Sequence, residues 1–182
     1  IGLLYIKNLS DKRYDIYAQN LKDDIIGDFE KINEIRSSSK NDVLRLKDTK
    51  DLNDASRRLR VNNVLHGSLR IESDKVYLNV NLYNSINGMN SFSSKWVAKK
   101  ENTNFLRYKV MSKIMDHFGL ELPEHIKKSL TRVLTENTLA YEKYSQGREI
   151  KNKLTSNQDT SDACNLFKEA YALDNNFVQA LS

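Results

Sequence analysis

Cysteine is almost missing from this chain: Cys164 stands alone among 182 residues. A lone thiol excludes an internal disulfide and a zinc cluster built from thiolates. It leaves the compartment open, because a bacterial periplasmic protein can also lack disulfides. Long apolar runs are missing too. No stretch approaches the roughly 18 residues that would span a bilayer, and no signal-peptide pattern is present. Concentrated charge is also absent. The net charge is +5, with lysine and arginine spread along the chain as solvated faces. Arg57-Arg58 with Arg60 is the one small basic candidate for nucleic acid, which needs a concentrated patch. Catalytic signatures are lacking as well. There is no Gly-x-Gly-x-x-Gly, no phosphate loop and no Gly-x-Ser-x-Gly. The histidines His66, His117 and His125 have no carboxylate or cysteine at ligand spacing, whereas a metal site needs three or four converging ligands. The sequence therefore names no catalytic, cofactor-binding or metal-binding residue. Asp23-Asp24 with Asp28 reads as the solvated side of an amphipathic helix.

What is present begins with 39% hydrophobic and 29% charged residues, the balance of a soluble globular protein rather than a disordered one. The length suffices for one sizeable core with an appendage, or for two small domains. The clearest pattern lies between Val61 and Val97. Val76, Leu78, Val80 and Leu82 alternate strictly with Tyr77, Asn79, Asn81 and Tyr83, the period of a half-buried strand. Leu65, Gly67, Leu69 and Ile71 form a preceding run. Glu72 to Lys75 reads as a hairpin turn. Asn84 to Gly88 is a second turn, after which Phe92 and Trp96 share one face of a third run. This predicts an antiparallel meander.

Around it, Ile1 to Ile6 reads as a buried strand. A helix is expected from Asp15, as its cap, to about Ile32, on the stripe Ala18, Leu21, Ile25, Phe29 and Ile32. Gly27 within it is expected to permit close packing on the sheet. Glu34 to Ser38 reads as a short strand and Asn41 to Thr49 as a loop. Asp51 to Leu59 is a second helix, with acids at its start and arginines at its end. Both helices are expected on the face of the sheet that bears Leu65, Leu69, Val76, Leu78, Val80 and Leu82. A third helix, capped by Thr103, runs to about Phe118 and ends at Gly119. Pro123 opens another, to Thr135, with Ile126, Leu130, Val133 and Leu134 as its stripe. From Asn137 the pattern is helical, with a break near Thr155 to Asp159. The fold class is thus α/β (α+β): a small mixed sheet with packed helices, followed by a helical hairpin. The domain division is 1–122 and 123–182. The chain opens directly on a strand-like run and stops within a helical pattern, as expected of a piece of a longer protein.

Ala163, Phe167 and Ala170, preceded by Tyr144 and Gly147, resemble a tetratricopeptide repeat, which uses small residues where its helices cross and a bulky one between. Leu173-Asp174-Asn175 is similar to the Leu-Asp-Pro that closes such repeats, with Asn175 in place of the proline. The preceding part resembles the TolB-amino-terminal-like domain found before tetratricopeptide repeats in bacterial regulators. The resemblance rests on Ile1 to Ser10, on Tyr17 to Ile26 with Gln19-Asn20 in place of the usual Asp-Gly, on Val61 to Leu69, and on Thr135 to Arg148. It implies a sensory or interaction segment of a membrane-linked bacterial protein, on the periplasmic or cytoplasmic side. The output module elsewhere in that protein would be an adenylate or guanylate cyclase, a winged-helix regulator of the CadC type, or a kinase.

The expected function is therefore non-catalytic, with a protein partner or a second copy of the chain as its target. A homodimer is the expectation. Tyr77, Asn79, Asn81 and Tyr83 on the outward sheet face form one candidate partner surface. Phe167, Tyr171 and Phe177, with Leu166 and Leu181, form the other, because a repeat without neighbours leaves large side chains uncovered. Either a second copy or the helix Pro123 to Thr135 is expected to cover that end. The alternative is a small-molecule sensor with a pocket between the two domains. A third reading, nucleic-acid binding, requires Arg57, Arg58 and Arg60 to face outward beside other basic residues.

Overall fold

The computed structural model describes residues 1–46, 51–152 and 156–181. Four strands form one sheet in the order β1 (Gly2–Asn8), β2 (Asn63–Glu72), β3 (Lys75–Asn84) and β4 (Met89–Lys99). β1 and β2 run parallel, and β2–β3–β4 are antiparallel. A parallel pair needs a crossover. Here it contains α1 (Asp15–Phe29), the short α2 (Lys40–Leu44) and α3 (Leu52–Leu59). After the meander come α4 (Thr103–His117), α5 (Glu124–Thr131), α6 (Thr138–Asn152) and α7 (Asn157–Leu173), closed by a 3-10 turn, Val178–Leu181. The mixed sheet, the meander and the C-terminal helical hairpin are those that the sequence pattern predicts.

The alternating residues of β3 decide the two faces. Val76, Leu78, Val80 and Leu82 are buried. Their register partners Ile71, Leu69, Gly67 and Leu65 share that face. α1 packs along β1 and α4, and α4 packs on β4. The Phe92 and His117 rings meet at 5.7 Å. Leu21, Ile25, Phe29, Leu106, Val110 and Ile114 complete the core beneath these helices.

α3 departs from expectation. A Cβ placed on Gly2 would meet the Leu59 side chain at 2.7 Å, and the Tyr83 hydroxyl donates to Asn53 Oδ1 at 2.9 Å. Gly2 and Tyr83 both pair with Val64, which points away from the main core face. α3 therefore covers one corner of the opposite face. Its apolar residues Ala55 and Leu59 follow that corner.

Several local expectations are also corrected. α1 ends at Phe29, three residues early, where turn hydrogen bonds from Lys31 and Ile32 to Asp28 and Phe29 replace the helical ladder. Asp15 is not its cap: Tyr14 holds that position, and Asp15 instead accepts from Asn8 Nδ2 at 2.7 Å. Asn8 Oδ1 also accepts from the Ser10 amide, so Asn8 to Ser10 builds the turn into the helix. Glu34 to Ser38 is not a strand. It meets the chain start through one backbone bond, from the Ser38 amide to the Ile1 carbonyl at 3.0 Å, together with the Ile1 amino group on the Arg36 carbonyl. The expected loop after Asn41 begins as α2, capped by Ser39, and its end, Lys47 to Thr49, lies outside the described residues. Asn102 rather than Thr103 caps α4, accepting from the Phe105 amide. α5 stops at Thr131, so its buried stripe is Ile126 and Leu130, while Val133 is exposed. A Cβ on Gly27 would meet nothing within 4 Å, so no close approach demands glycine there. The expected helical break is real: α7 starts at Asn157, with Ser156 and Asp159 forming a capping box. Thr155 lies outside the described residues.

Candidate functional site

The face of the sheet turned away from α1 and α4 carries the first candidate surface. The alternation that buries Val76, Leu78, Val80 and Leu82 turns Tyr77, Asn79 and Asn81 to this side, where they are half-buried. Arg70, paired with Tyr77, lays its guanidinium over the tyrosine ring at 4.8 Å. His66, paired with Asn81, meets the Tyr5 ring at 5.8 Å. Lys7, Lys95 and Val97 lie on the same face and are exposed. His66 Nε2 and Asn79 Oδ1 are buried without a hydrogen-bond partner. Burial lowers the pKa of His66, against the effect of Asn90 beside it. Tyr83 does not belong to the open surface. It is 9% exposed and tied to Asn53. α3 lies over it, and a register shift beside Tyr83 interrupts the β3–β4 ladder.

The helical end carries the second. A Cβ on Gly147 would lie 2.6 Å from the Phe167 ring, so glycine lets α6 and α7 cross closely. Ala140, Ala163 and Ala170 are buried around the crossing. This is the small-and-bulky arrangement expected from the spacing. Phe177, however, does not lack cover. It is 0% exposed and its ring meets Tyr144 at 4.9 Å. The chain after α7 turns back so that the 3-10 turn packs on α7. Phe167 and Tyr171 are half-buried, and Leu173, Val178 and Leu181 are the exposed apolar groups. α5 packs on α4, and of the segment Pro123 to Thr135 it is the last residue, Thr135, that bonds to the helical end, its hydroxyl donating to Asp174.

Between the helical end and the sheet lies a site that the sequence reading missed. Asp28 accepts from Arg107 Nε and Nη2 at 2.8 and 2.7 Å, and Asp24 accepts from Arg148 Nη1 and Nη2 at 2.9 and 2.6 Å. Arg107 Nη1 donates to Asn104 at 2.8 Å and lies 3.9 Å from Asp24. The network joins α1, α4 and α6. Asp23, Asp24 and Asp28 are thus not a solvated face: their side chains are 7, 19 and 3% exposed. Asp24 and Asp28 are one helical turn apart and face inward, but their arginine partners lie 124 and 79 residues away, respectively, a separation that no local pattern bridges. Burial opposes the charge on both arginines, yet the carboxylates outweigh it. The Arg107 and Arg148 pKa values are raised, through Asp28 and Asp24 respectively. Nearby, the Tyr141 and Thr103 hydroxyls share a 2.7 Å hydrogen bond. Burial nonetheless pushes the Tyr141 phenol up to about 12. The Tyr17 hydroxyl and both amide atoms of Asn20 are buried without partners. A cavity of about 540 Å³ opens onto this network.

Among the described residues, no group of His, Cys, Asp and Glu could hold a metal ion, and no helix is long and apolar enough to cross a membrane. Arg57, Arg58 and Arg60 are exposed, but Arg57 and Arg58 both pair with Asp54.

The fold is a mixed α/β domain bearing a helical hairpin. Distantly similar α/β structures include the LpoB C-terminal domain from Salmonella enterica, at 13% identity and TM-score 0.45, covering 54% of this chain and 80% of that one. TolB from Acinetobacter baumannii is similar at 14% identity and TM-score 0.46, covering 64% of this chain and 28% of that one. A lipoprotein from Neisseria meningitidis is similar at 10% identity and TM-score 0.45, covering 67% and 97%. No family model matches the chain, and no curated protein matches it.

Proposed function

We propose that this chain is a non-catalytic sensory and interaction segment of a bacterial signalling protein. It docks a protein chain, either another protein or a second copy, on the open sheet face. The resemblance of its sequence to domains attached to adenylate or guanylate cyclases and winged-helix regulators supports an output module of that kind. The observation that carries the docking is the surface formed by Tyr77, Asn79 and Asn81, with Arg70, Lys95 and Val97 exposed beside them. Aromatic and amide groups with a few cations on one face form a surface that gains by excluding water against a partner.

The test is a photo-crosslinking side chain placed at Tyr77 or Val97, with Lys127 on α5 as an exposed control, in cells making the full-length protein. Discrete adducts from the two sheet positions and none from Lys127 are expected. Absence of sheet-face adducts, or the same adducts from all three positions, overturns the reading. Mass spectrometry of the adduct separates a second copy from a different protein.

A further inference from the structure

We propose that the cavity between α1, α4, α5 and α6 binds a small organic phosphate. This goes beyond docking at the sheet face and does not depend on it. The cavity, about 540 Å³, is lined by Arg107, Lys128, Arg132 and Arg148 and by one carboxylate, Asp24. Asp28 and Asp24 already take up the charges of Arg107 and Arg148. Lys128 and Arg132 form no ion pair among the described residues. The cavity therefore keeps two cationic charges in excess.

Donor capacity points the same way. A guanidinium has five N–H groups. Arg107 commits one each from Nε, Nη1 and Nη2, so two remain. Arg148 commits two to Asp24, so three remain. Two partly buried guanidiniums, held in place by their pairs with Asp28 and Asp24, are preorganised donors for a tetrahedral dianion. Asp28 fixes Arg107 from outside the cavity lining, and Asp24 fixes Arg148 at its wall. The Tyr144 ring and Leu134 supply an apolar wall, which suits an organic body attached to the phosphate. The volume falls in the range of small-molecule sites.

The placement gives binding a consequence. Arg107 belongs to α4, Lys128 to α5 and Arg148 to α6, so one phosphate would draw the helical hairpin and the sheet-bearing part together. Binding to the folded state alone raises its apparent stability.

Calorimetric titration of the purified chain with phenyl phosphate, inorganic phosphate and benzoate tests this. Saturable binding is expected, strongest for phenyl phosphate, weaker for inorganic phosphate and weakest for benzoate. The double charge reversal Lys128→Glu/Arg132→Glu involves exposed side chains outside the ion-pair network and should leave circular dichroism unchanged. It should weaken phenyl phosphate by about tenfold or more. Lys7→Glu/Lys95→Glu, on the sheet face, should leave binding as it was. No saturable binding of any probe up to millimolar concentration overturns the site. So does binding that survives the cavity reversal, or that falls equally with the sheet-face reversal. Benzoate binding as tightly as phenyl phosphate overturns the phosphate assignment.

Discussion

His66 sits among polar neighbours on the open sheet face, yet its Nε2 is buried without a partner. Burial holds its folded pKa below the ordinary 6.5. As pH falls through 6.5, the unfolded chain takes up the proton before the folded one does, so stability is lost in that window. Denaturation midpoints at about pH 7.5 and about pH 5.5 should differ more for the parent chain than for His66→Gln, which cannot titrate there. Equal differences would show that the imidazole is not held neutral by the fold. Phe177 illustrates another kind of residue-scale outcome. Its size and its place after α7 suggested an uncovered anchor, but the returning 3-10 turn seats it against Tyr144.

Among the elements, α1 repays closest attention because it faces three ways. Leu21, Ile25 and Phe29 turn to the sheet, and Asp24 and Asp28 turn to α4 and α6. Gly27 points into open space. A helix-interior glycine with room for a methyl group costs backbone entropy without return. Gly27→Ala should raise the free energy of unfolding by about 0.5–1 kcal/mol, read from urea denaturation with unchanged slope. A loss of stability would mean that the glycine serves a contact absent from this structure. Meander and helix stripes were legible because alternation and three-to-four spacing are local. The side of the sheet that α3 takes was not, since its stripe of Ala55 and Leu59 says only that one face is apolar.

For the whole molecule, the central question is how the helical end is held to the sheet. Ala140, Tyr141, Ala170 and Phe177 belong to the same apolar cluster as the sheet core. Arg148–Asp24 is the polar clasp beside it. Replacing Arg148 by Met keeps much of the side-chain volume but leaves Asp24 with only Arg107, at 3.9 Å. The expected loss is about 1.5–3 kcal/mol. Hydrogen exchange should quicken in α6 and α7 before it does in β2 and β3. Uniform quickening across the sheet, or no change, would show that the clasp does not govern this junction.

The sequence by itself determined the long elements and much of their burial. A strand that alternates Val76-Tyr77-Leu78-Asn79 must put its apolar set on one side, and the hairpin spacing of Gly147, Ala163 and Phe167 already implies a close crossing. Tertiary structure alone decided which distant charges meet. Asp24 and Asp28 look solvated from their neighbours in sequence, and become buried ion-pair partners only when α4 and α6 bring Arg107 and Arg148 against α1. It also decided that Tyr83 is covered by α3 and Phe177 by the chain's own end. The physical reason is the same in each case. Periodicity records that a side chain must leave water, whereas the partner that receives it is chosen by how whole elements pack.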